Sequence, residues 1–383
     1  MNLRILAALC AVLSLITTKA AAGPALLFDA SSGKVLYAED QDNKWHPASL
    51  TKIMTAYLVF EAVKQGKLTL QSMIPVSEAA HVQPPSKVGL PVGAEMPLDL
   101  ALQALIVKSA NDVAVMLAEA VGGTEANFIE MMNAKARRLG MARTRFVNPN
   151  GLPAAEQVTT ARDLARLSRA VLADFPEYAH YWSMVEMRIG KQRLGTHNVL
   201  LKTFEGADGL KTGFICDSGF NVVASATRDG KRLMAVVLGE TTGQERAVRA
   251  ASLLEHGFQQ YGWKTLFNST DLDNLPLAED AKDVMSMRAT VAAWDCGNRR
   301  RVARSQAKAK KAKAKVAAAR AKAAQGVGKP SGVGAPAAAA ATAPAVVKAS
   351  PAAAKTAPAS ASAASKSPPK AAATQPTPAP KGQ

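Results

Sequence analysis

The sequence predicts an α+β fold in which one antiparallel sheet joins the two ends of the globular body. Residues 25–29 and 34–39 are short β-rich runs separated by Ser-Ser-Gly, which is typical of a hairpin. Residues 219–240 form two longer β-rich runs joined through Asp-Gly, the strongest short hairpin signal. Helical patterns occupy the chain between these hairpins, so we expect a helical cluster to flank a shared sheet.

The helical patterns are recognised by apolar residues that recur on one face. The first covers residues 49–64, where Ile53 and Phe60 belong to the face that we expect to be buried. Proline and glycine interrupt the pattern elsewhere, predicting short strands and loops at residues 68–97 and an ordered loop at residues 148–153. Similar apolar spacing predicts further helices at residues 98–107, 112–121, 125–139, 160–173 and 246–261.

The first 22 residues have the three parts of a secretory signal. Arg4 gives a positive start, residues 5–16 are apolar, and small residues lead to the expected cleavage after Ala22. The apolar stretch is shorter than the about 20 residues of a membrane helix, which favours cleavage over an uncleaved anchor. In an exported chain Cys216 and Cys296 can form a disulfide, and two buried free thiols remain the alternative because spacing does not decide connectivity.

Two separated lysines and a serine suggest nucleophilic catalysis. Ser49 and Lys52 form a Ser-x-x-Lys pair at a helix start, where both side chains project from the same face. A serine nucleophile needs a base, and a lysine serves as one only when desolvation or a nearby cation lowers its pKa. Lys211 can supply that cation. Thr212 offers a hydroxyl, and Gly213 lets a substrate backbone approach what we expect to be a sheet edge.

Order and context turn these pairs into a recognisable signature. Ser-x-x-Lys, Ser-Ala-Asn at 109–111 and Lys-Thr-Gly at 211–213 follow the order found in penicillin-binding proteins and class A β-lactamases, with Ala in place of Asp. The chain resembles the low-molecular-mass penicillin-binding proteins, the serine-type D-alanyl-D-alanine carboxypeptidases, over residues 23–263. The blocks HPASLTKIMTAYL, SANDVAVMLAE, FVNPNGLP and GADGLKTGF carry this resemblance. It implies a β-lactamase/DD-peptidase-like catalytic domain at residues 23–268.

The resemblance implies a catalytic group of four residues. Ser49 would be the nucleophile that attacks the carbonyl between the two D-alanines, and Lys52 would be its base. Ser109, linked to Lys211, would pass a proton to the leaving D-alanine, and Asn111 would hold a substrate amide. The histidines lack metal-ligand spacing, and we predict neither a metal nor another cofactor.

The resemblance also implies a substrate-binding group. Lys211 and Thr212 would bind the terminal carboxylate of the peptide, and Arg246 would be a further carboxylate-binding residue. The backbone N–H groups of Ser49 and Phe214 would form the oxyanion hole, beside the close approach that Gly213 allows. The implied reaction removes the terminal D-Ala of peptidoglycan pentapeptides through an acyl-enzyme, which β-lactam antibiotics would mimic as acylating inhibitors.

Three alternative functions share parts of the signature. A DD-endopeptidase would cleave peptidoglycan cross-links with the same residues. A class A β-lactamase would need a glutamate in the loop at residues 148–153, which holds no carboxylate, while Glu156 nearby lacks the expected setting. A catalytically silent peptidoglycan-binding module is disfavoured because Ser49, Lys52 and Lys211 are all present.

The C-terminal part departs from the family pattern. Many members continue with a β-rich domain and an amphipathic anchoring helix, whereas here a weakly patterned extension at residues 269–298 leads into a basic tail. Residues 299–383 contain 17 Lys and Arg without any Asp, Glu or aromatic residue, so we expect disorder. Export favours loose tethering to anionic cell-wall or envelope polymers over nucleic acid, and a solvated spacer is the alternative.

Overall fold

The computed structural model of the protein describes residues 23–267, 269–291 and 296. The predicted secretory signal and the basic tail lie outside the described residues. In the described part of the chain, no helix has both the length and the apolar character needed to cross a membrane.

Strands and helices follow one another closely along the chain. The strands are β1 (Ala25–Asp29), β2 (Val35–Glu39), β3 (Met73–Pro75), β4 (Glu95–Pro97), β5 (Glu186–Ile189), β6 (Gln192–Gly195), β7 (Ala207–Ile215), β8 (Gly219–Arg228) and β9 (Lys231–Glu240). The helices are α1 (Lys52–Lys64), α2 (Glu78–His81), α3 (Leu98–Gln103), α4 (Asn111–Gly122), α5 (Glu125–Arg138), α6 (Ala161–Asp174), α7 (His180–Ser183), α8 (Leu200–Thr203), α9 (Gly243–Phe267) and α10 (Arg288–Val291). A 3₁₀ turn at Ala48–Thr51 leads into α1, and a π-helical turn at Ala104–Lys108 continues α3.

The main sheet confirms the predicted α+β class. It is five-stranded and antiparallel, in the order β2-β1-β9-β8-β7, so the N-terminal hairpin pairs directly with the C-terminal one. In the register of β1 and β9, Leu27 lies opposite Ala235. The strand β7, which carries Lys-Thr-Gly, lies at the edge of this sheet, as the sequence predicts.

The sheet has an apolar core on each face. In β1, Leu26 and Phe28 contact the larger core on the side of the helical cluster, whereas Leu27 contacts the smaller core on the opposite side. This alternation follows from the two-residue period of a strand, and it explains why a strand buried on both faces reads as a continuous apolar run. Leu254 of α9 belongs to the smaller core.

Helix α1 is more deeply buried than one apolar face would require. Its residues from Lys52 to Phe60 are all buried, and Ala62 in the next turn is buried as well. Because a helix surrounded by other elements is apolar on every side, the one-sided pattern underestimates its burial. The helix that follows Ser49 is therefore the central helix of the cluster, and it provides a rigid base for the site.

The C-terminal extension packs against the body as an irregular segment. The N–H of Val35 donates to the carbonyl of Thr270 (3.0 Å), and the N–H of Leu272 donates to the carbonyl of Gly33 (3.0 Å). Farther along, Cys296 forms a disulfide with Cys216, with 5.4 Å between the Cα atoms. The sequence left open whether these cysteines form a disulfide or remain as free thiols, and in the structure they form a disulfide.

Candidate active site

Ser49 lies in the turn that begins the central helix. The preceding residue, Ala48, has a left-handed φ of 49°, which is uncommon for a residue other than glycine. Neighbouring groups hold this backbone in place: Asn221 donates to the carbonyl of His46 (3.1 Å), and the indole N–H of Trp45 donates to a carbonyl of the β7–β8 turn (2.9 Å). Such strain persists only where surrounding contacts fix it, so the Ser49 hydroxyl has a well-defined position.

The loop at residues 148–153 packs directly beneath that turn. Gly151 has a φ of 83°, and a Cβ placed on it would lie 1.8 Å from the carbonyl oxygen of Ala48. Gln157, just after this loop, accepts from the N–H of Asn148 at the start of the loop (3.2 Å) and donates to the hydroxyl of Thr51 in the turn that carries Ser49 (2.9 Å). Only glycine fits at position 151, because any side chain would displace the backbone that carries the nucleophile.

Lys52 is positioned to accept the proton of Ser49. Its Nζ lies 3.1 Å from the Oγ of Ser49, 2.8 Å from the Oδ1 of Asn111 and 2.6 Å from the carbonyl oxygen of Asn150. The side chain is fully buried. This burial holds the pKa of the Lys52 ammonium well below its usual value, and the positive charge of Lys211 lowers this pKa further.

Three oxygen atoms surround the Lys52 nitrogen, and this geometry can hold either an ammonium or a neutral amine. A neutral lysine has two N–H donors and one lone pair, and the Oδ1 of Asn111 and the carbonyl of Asn150 are acceptors for the two donors. The lone pair then faces the Oγ of Ser49, which becomes the donor of the third hydrogen bond. A base in this state can accept a proton from the nucleophile without first losing one.

Ser109 and Asn111 form the second wall of the site. Ser109 has a left-handed φ of 61°, and this change of backbone direction separates the π-helical turn from α4. The Nδ2 of Asn111 donates to the carbonyl of Pro84 (2.9 Å), while its Oδ1 accepts from Lys52. Both ends of the Asn111 amide are thus engaged within the protein, where the resemblance implied contact with a substrate amide. Its observed contacts position Lys52.

The third wall is the edge strand β7. A Cβ on Gly213 would lie 2.9 Å from the carbonyl oxygen of Pro47 and 3.0 Å from the backbone nitrogen of Ser49. The absence of a side chain at Gly213 therefore lets this strand approach the nucleophile closely. Thr212 and Phe214, on either side of Gly213, both line the cavity.

Basic groups dominate the charge at this wall. The Lys211 side chain is buried, and its ammonium donates to the carbonyl of Thr212 (3.0 Å). Burial, reinforced by the charge of Arg246, lowers the pKa of Lys211 to about 7. Burial also lowers the pKa of Arg246 to about 10, and it lowers the pKa of the His197 imidazole below its usual value. An anion bound here would offset the desolvation of these groups.

These walls enclose one cavity. It measures about 510 Å³ and, of the nine predicted site residues, Ser49, Ser109, Asn111, Thr212, Gly213, Phe214 and Arg246 line it. The other two, Lys52 and Lys211, lie buried beside it. A larger cavity of about 640 Å³, between α6 and the β1–β2 turn, contains none of them. The structure therefore brings all nine residues to one place.

Three contributors to the site were not identified from the sequence. Asn150 acts through its backbone carbonyl, and such a contact leaves no side-chain signal. Gly151 lies in a loop that the sequence identifies as ordered, but its close approach to Ala48 depends on the tertiary fold. His197 lines the cavity, and its backbone carbonyl accepts a hydrogen bond from Arg246 (3.2 Å). A lone histidine outside any motif gave no reason to choose it.

Comparison with known proteins places this geometry in a family. The family model for peptidase S11, described as D-alanyl-D-alanine carboxypeptidase, matches residues 13–242. The chain is 38% identical over 241 residues to the D-alanyl-D-alanine carboxypeptidase DacC of Escherichia coli, covering 61% of this chain and 60% of that protein. It is also 34% identical over 253 residues to a D-alanyl-D-alanine endopeptidase of Pseudomonas aeruginosa, covering 62% and 78% respectively.

Solved structures show the same fold. Penicillin binding protein 5 from Haemophilus influenzae superimposes with a TM-score of 0.61 at 36% identity, over 62% of this chain and 71% of that one. Penicillin-Binding Protein D2 from Listeria monocytogenes, in a cefotaxime-bound form, gives 0.57 at 32% identity, over 62% and 97%. The chain spans only about three fifths of the length of two curated carboxypeptidases that it matches. The family match includes the site residues from Ser49 to Phe214 and stops short of Arg246, and the chain belongs to the peptidase S11 family of D-alanyl-D-alanine carboxypeptidases.

Proposed function

We propose that this protein is a serine-type D-Ala-D-Ala carboxypeptidase that removes the terminal D-Ala from peptidoglycan pentapeptides. The observation that carries the proposal is the 3.1 Å contact between the buried Lys52 Nζ and the Ser49 Oγ, on a cavity that Arg246 and Thr212 also line. The site thus combines a nucleophile and its base with residues that can bind a carboxylate. The relatives' described activity supports the same conclusion.

Acylation would begin with proton transfer from Ser49 to Lys52. The Oγ attacks the carbonyl carbon of the bond between the two D-alanines, and the oxyanion forms beside the backbone N–H groups of Ser49 and Phe214. The C–N bond then breaks as the leaving nitrogen receives the proton that Lys52 took up, which we assign to a relay through Ser109, and Lys52 becomes neutral again. Free D-Ala departs, and the remaining peptide is held as an ester of Ser49.

Hydrolysis of this ester completes the reaction. Water attacks the ester carbonyl and gives a proton to the neutral Lys52, which passes it to the Ser49 oxygen as the ester bond breaks. The terminal carboxylate of the substrate would lie against Thr212 and Arg246, with the Lys211 charge behind them. In a peptide that ends in D-Ala-D-Ala, the terminal carboxylate lies one residue beyond the scissile bond. Binding of that carboxylate therefore selects substrates with a free C-terminus.

β-Lactams would acylate Ser49 by the same route. Attack on the lactam carbonyl opens the ring, so the leaving nitrogen stays attached to the acyl group and does not diffuse away. Two features support slow release over β-lactamase activity. Among the described residues no carboxylate lines the cavity, and Glu156 instead forms an exposed ion pair with Arg145 (3.1 Å). The cefotaxime-bound relative supports the same type of inhibitor.

The substrate also bears on location and on the second candidate function. Peptidoglycan lies outside the cytoplasmic membrane, so we propose extracytoplasmic action, in agreement with the secretory signal read from the sequence. Cleavage of cross-links as a DD-endopeptidase is the second candidate, because a relative with that described activity matches 62% of this chain.

The deciding experiment incubates the full chain with a pentapeptide that ends in D-Ala-D-Ala, beside the variant Ser49→Ala. We expect free D-Ala from the wild type alone, together with a stable penicillin adduct that the variant does not form. A cross-linked dimer in the same assay separates endopeptidase from carboxypeptidase action. Absence of D-Ala release, or rapid turnover of penicillin, would overturn the proposal.

A further inference from the structure

The C-terminal extension crosses the body and reaches the turn between β7 and β8. We call residues 269–291 together with Cys296 the C-terminal strap. Its middle is anchored by Arg162, whose guanidinium donates to the carbonyls of Leu275 (2.6 Å) and Pro276 (2.7 Å) while pairing with Asp42 at 2.6 Å. Arg162 and Asp42 are both almost fully buried, so the strap is bound to the interior of the domain.

The residues at the far end of the strap bind the turn between β7 and β8. The carboxylate of Asp217 accepts from the hydroxyl of Ser286 (2.8 Å) and from two guanidinium nitrogens of Arg288 (3.0 and 2.6 Å). The backbone carbonyl of Asp217 accepts from the N–H of Met287 (2.9 Å). The disulfide attaches the neighbouring Cys216 to Cys296. One short turn therefore has covalent, ionic and backbone links to the strap.

The same turn contacts the catalytic machinery on its other side. The carbonyl of Ser218 accepts from the indole of Trp45 (2.9 Å), four residues before the nucleophile. Phe214 and Ile215, which lead into the turn, line the cavity. The position of the Phe214 N–H, half of the expected oxyanion hole, thus depends on where this turn is held.

Strand β7 needs such support because it is an edge strand. It has β8 as its partner on one side only, and edge elements open more readily than central ones. The strap provides a second attachment at the end of β7 that faces the substrate. A displacement of about 1 Å at reacting groups can lower a rate by about a hundredfold, so holding this turn has kinetic consequences.

We propose that the C-terminal strap is a positioning element for acylation of Ser49, acting through Asp217 and Cys216 on the end of β7. The proposal rests on the acyl-enzyme chemistry proposed above. Arg288 and Cys296 are positioning residues: neither contacts the substrate cavity, and both act on the turn that shapes it. The segment after the catalytic domain thereby contributes to the geometry of the active site.

The test measures the acylation rate constant at saturating penicillin and the dissociation constant of the preceding complex, in the full chain. The variants are Arg288→Gln and Cys296→Ser. We expect both to lower the acylation rate by about tenfold or more, with little change in the dissociation constant. Arg288→Lys should restore only part of the rate, because a lysine cannot make the paired contacts of a guanidinium.

Asp283→Asn is the matched control. It removes an exposed ion pair that joins the same strap to Lys44 (2.8 Å) and does not include a residue of the β7–β8 turn, so it should leave the acylation rate unchanged. If Arg288→Gln and Cys296→Ser are acylated at the wild-type rate, the proposal is wrong. Lowered melting temperatures in these variants would then show that the strap only stabilises the fold. If Cys296→Ser does not fold, Arg288→Gln decides alone. A wild type that penicillin does not acylate would instead reject the proposed function.

Discussion

Replacing Lys52 by methionine is expected to lower the rate of Ser49 acylation by about 10²–10⁴-fold, the usual contribution of a general base. Methionine approximates the length of the buried lysine stem but can neither accept a proton nor donate to Asn111 and Asn150. Stopped-flow acylation with a chromogenic β-lactam measures the loss. Thermal unfolding checks that the variant still folds, since two unpaired acceptors cost about 1–3 kcal/mol each.

A second lysine of the same helix provides the control for Lys52. Lys64 lies in the last turn of α1, where its ammonium donates to the carbonyl of Asp174 (2.9 Å) at the surface. Lys64→Met should leave the acylation rate unchanged. Full acylation activity in Lys52→Met would show that another group deprotonates Ser49.

Replacing Gly151 by alanine is expected to destabilise the protein by about 2–5 kcal/mol, the sum of left-handed backbone strain and of overpacking. The new Cβ would meet the carbonyl oxygen of Ala48 at 1.8 Å, so the backbone next to Ser49 must move. The acylation rate should therefore fall together with stability. Chemical denaturation gives the free energy of unfolding, and the acylation assay gives the rate.

Gly66→Ala separates the two causes of that loss. Gly66 has a similar φ of 70°, but a Cβ there has no heavy atom within 4 Å. Its substitution should cost only the backbone part, about 1–2 kcal/mol, without affecting acylation. If Gly151→Ala and Gly66→Ala destabilise the protein equally, the close contact between Gly151 and Ala48 does not contribute to the loss of stability.

The sequence predicted the fold and most of the site because the signals are local. The Asp-Gly hairpin and the helical periodicities depend on neighbouring residues, and the sheet that joins both ends follows from their order. Ser49, Lys52 and Lys211 were identified because their motifs follow one another in the order found in penicillin-binding proteins, which share one active-site geometry. Helix α1 is buried on every side from Lys52 to Phe60, although its apolar periodicity indicated one buried face and gave no information on the packing of the others.

Contacts between distant segments were not predictable in this way. The carbonyl of Asn150 near Lys52 and the disulfide between Cys216 and Cys296 both depend on how loops meet in the folded chain. The strap is the clearest case: its residues 269–291 show weak patterning because they bind through backbone groups and single ionic contacts, which need no periodic sequence. The sequence indicated that desolvation or the Lys211 charge could lower the pKa of Lys52 but did not rank them, and in the folded protein burial is the larger cause.

The dependence of the acylation rate on pH, at saturating β-lactam, tests most directly whether Lys52 is the base that activates Ser49. Only the neutral amine accepts the proton, so the rate should rise as Lys52 loses its proton. Burial and the Lys211 charge lower this pKa in the folded protein, and the rise should therefore be complete well below pH 10.5, the ordinary lysine value. A rate that keeps rising until pH 10.5 would show an unperturbed lysine and contradict this role.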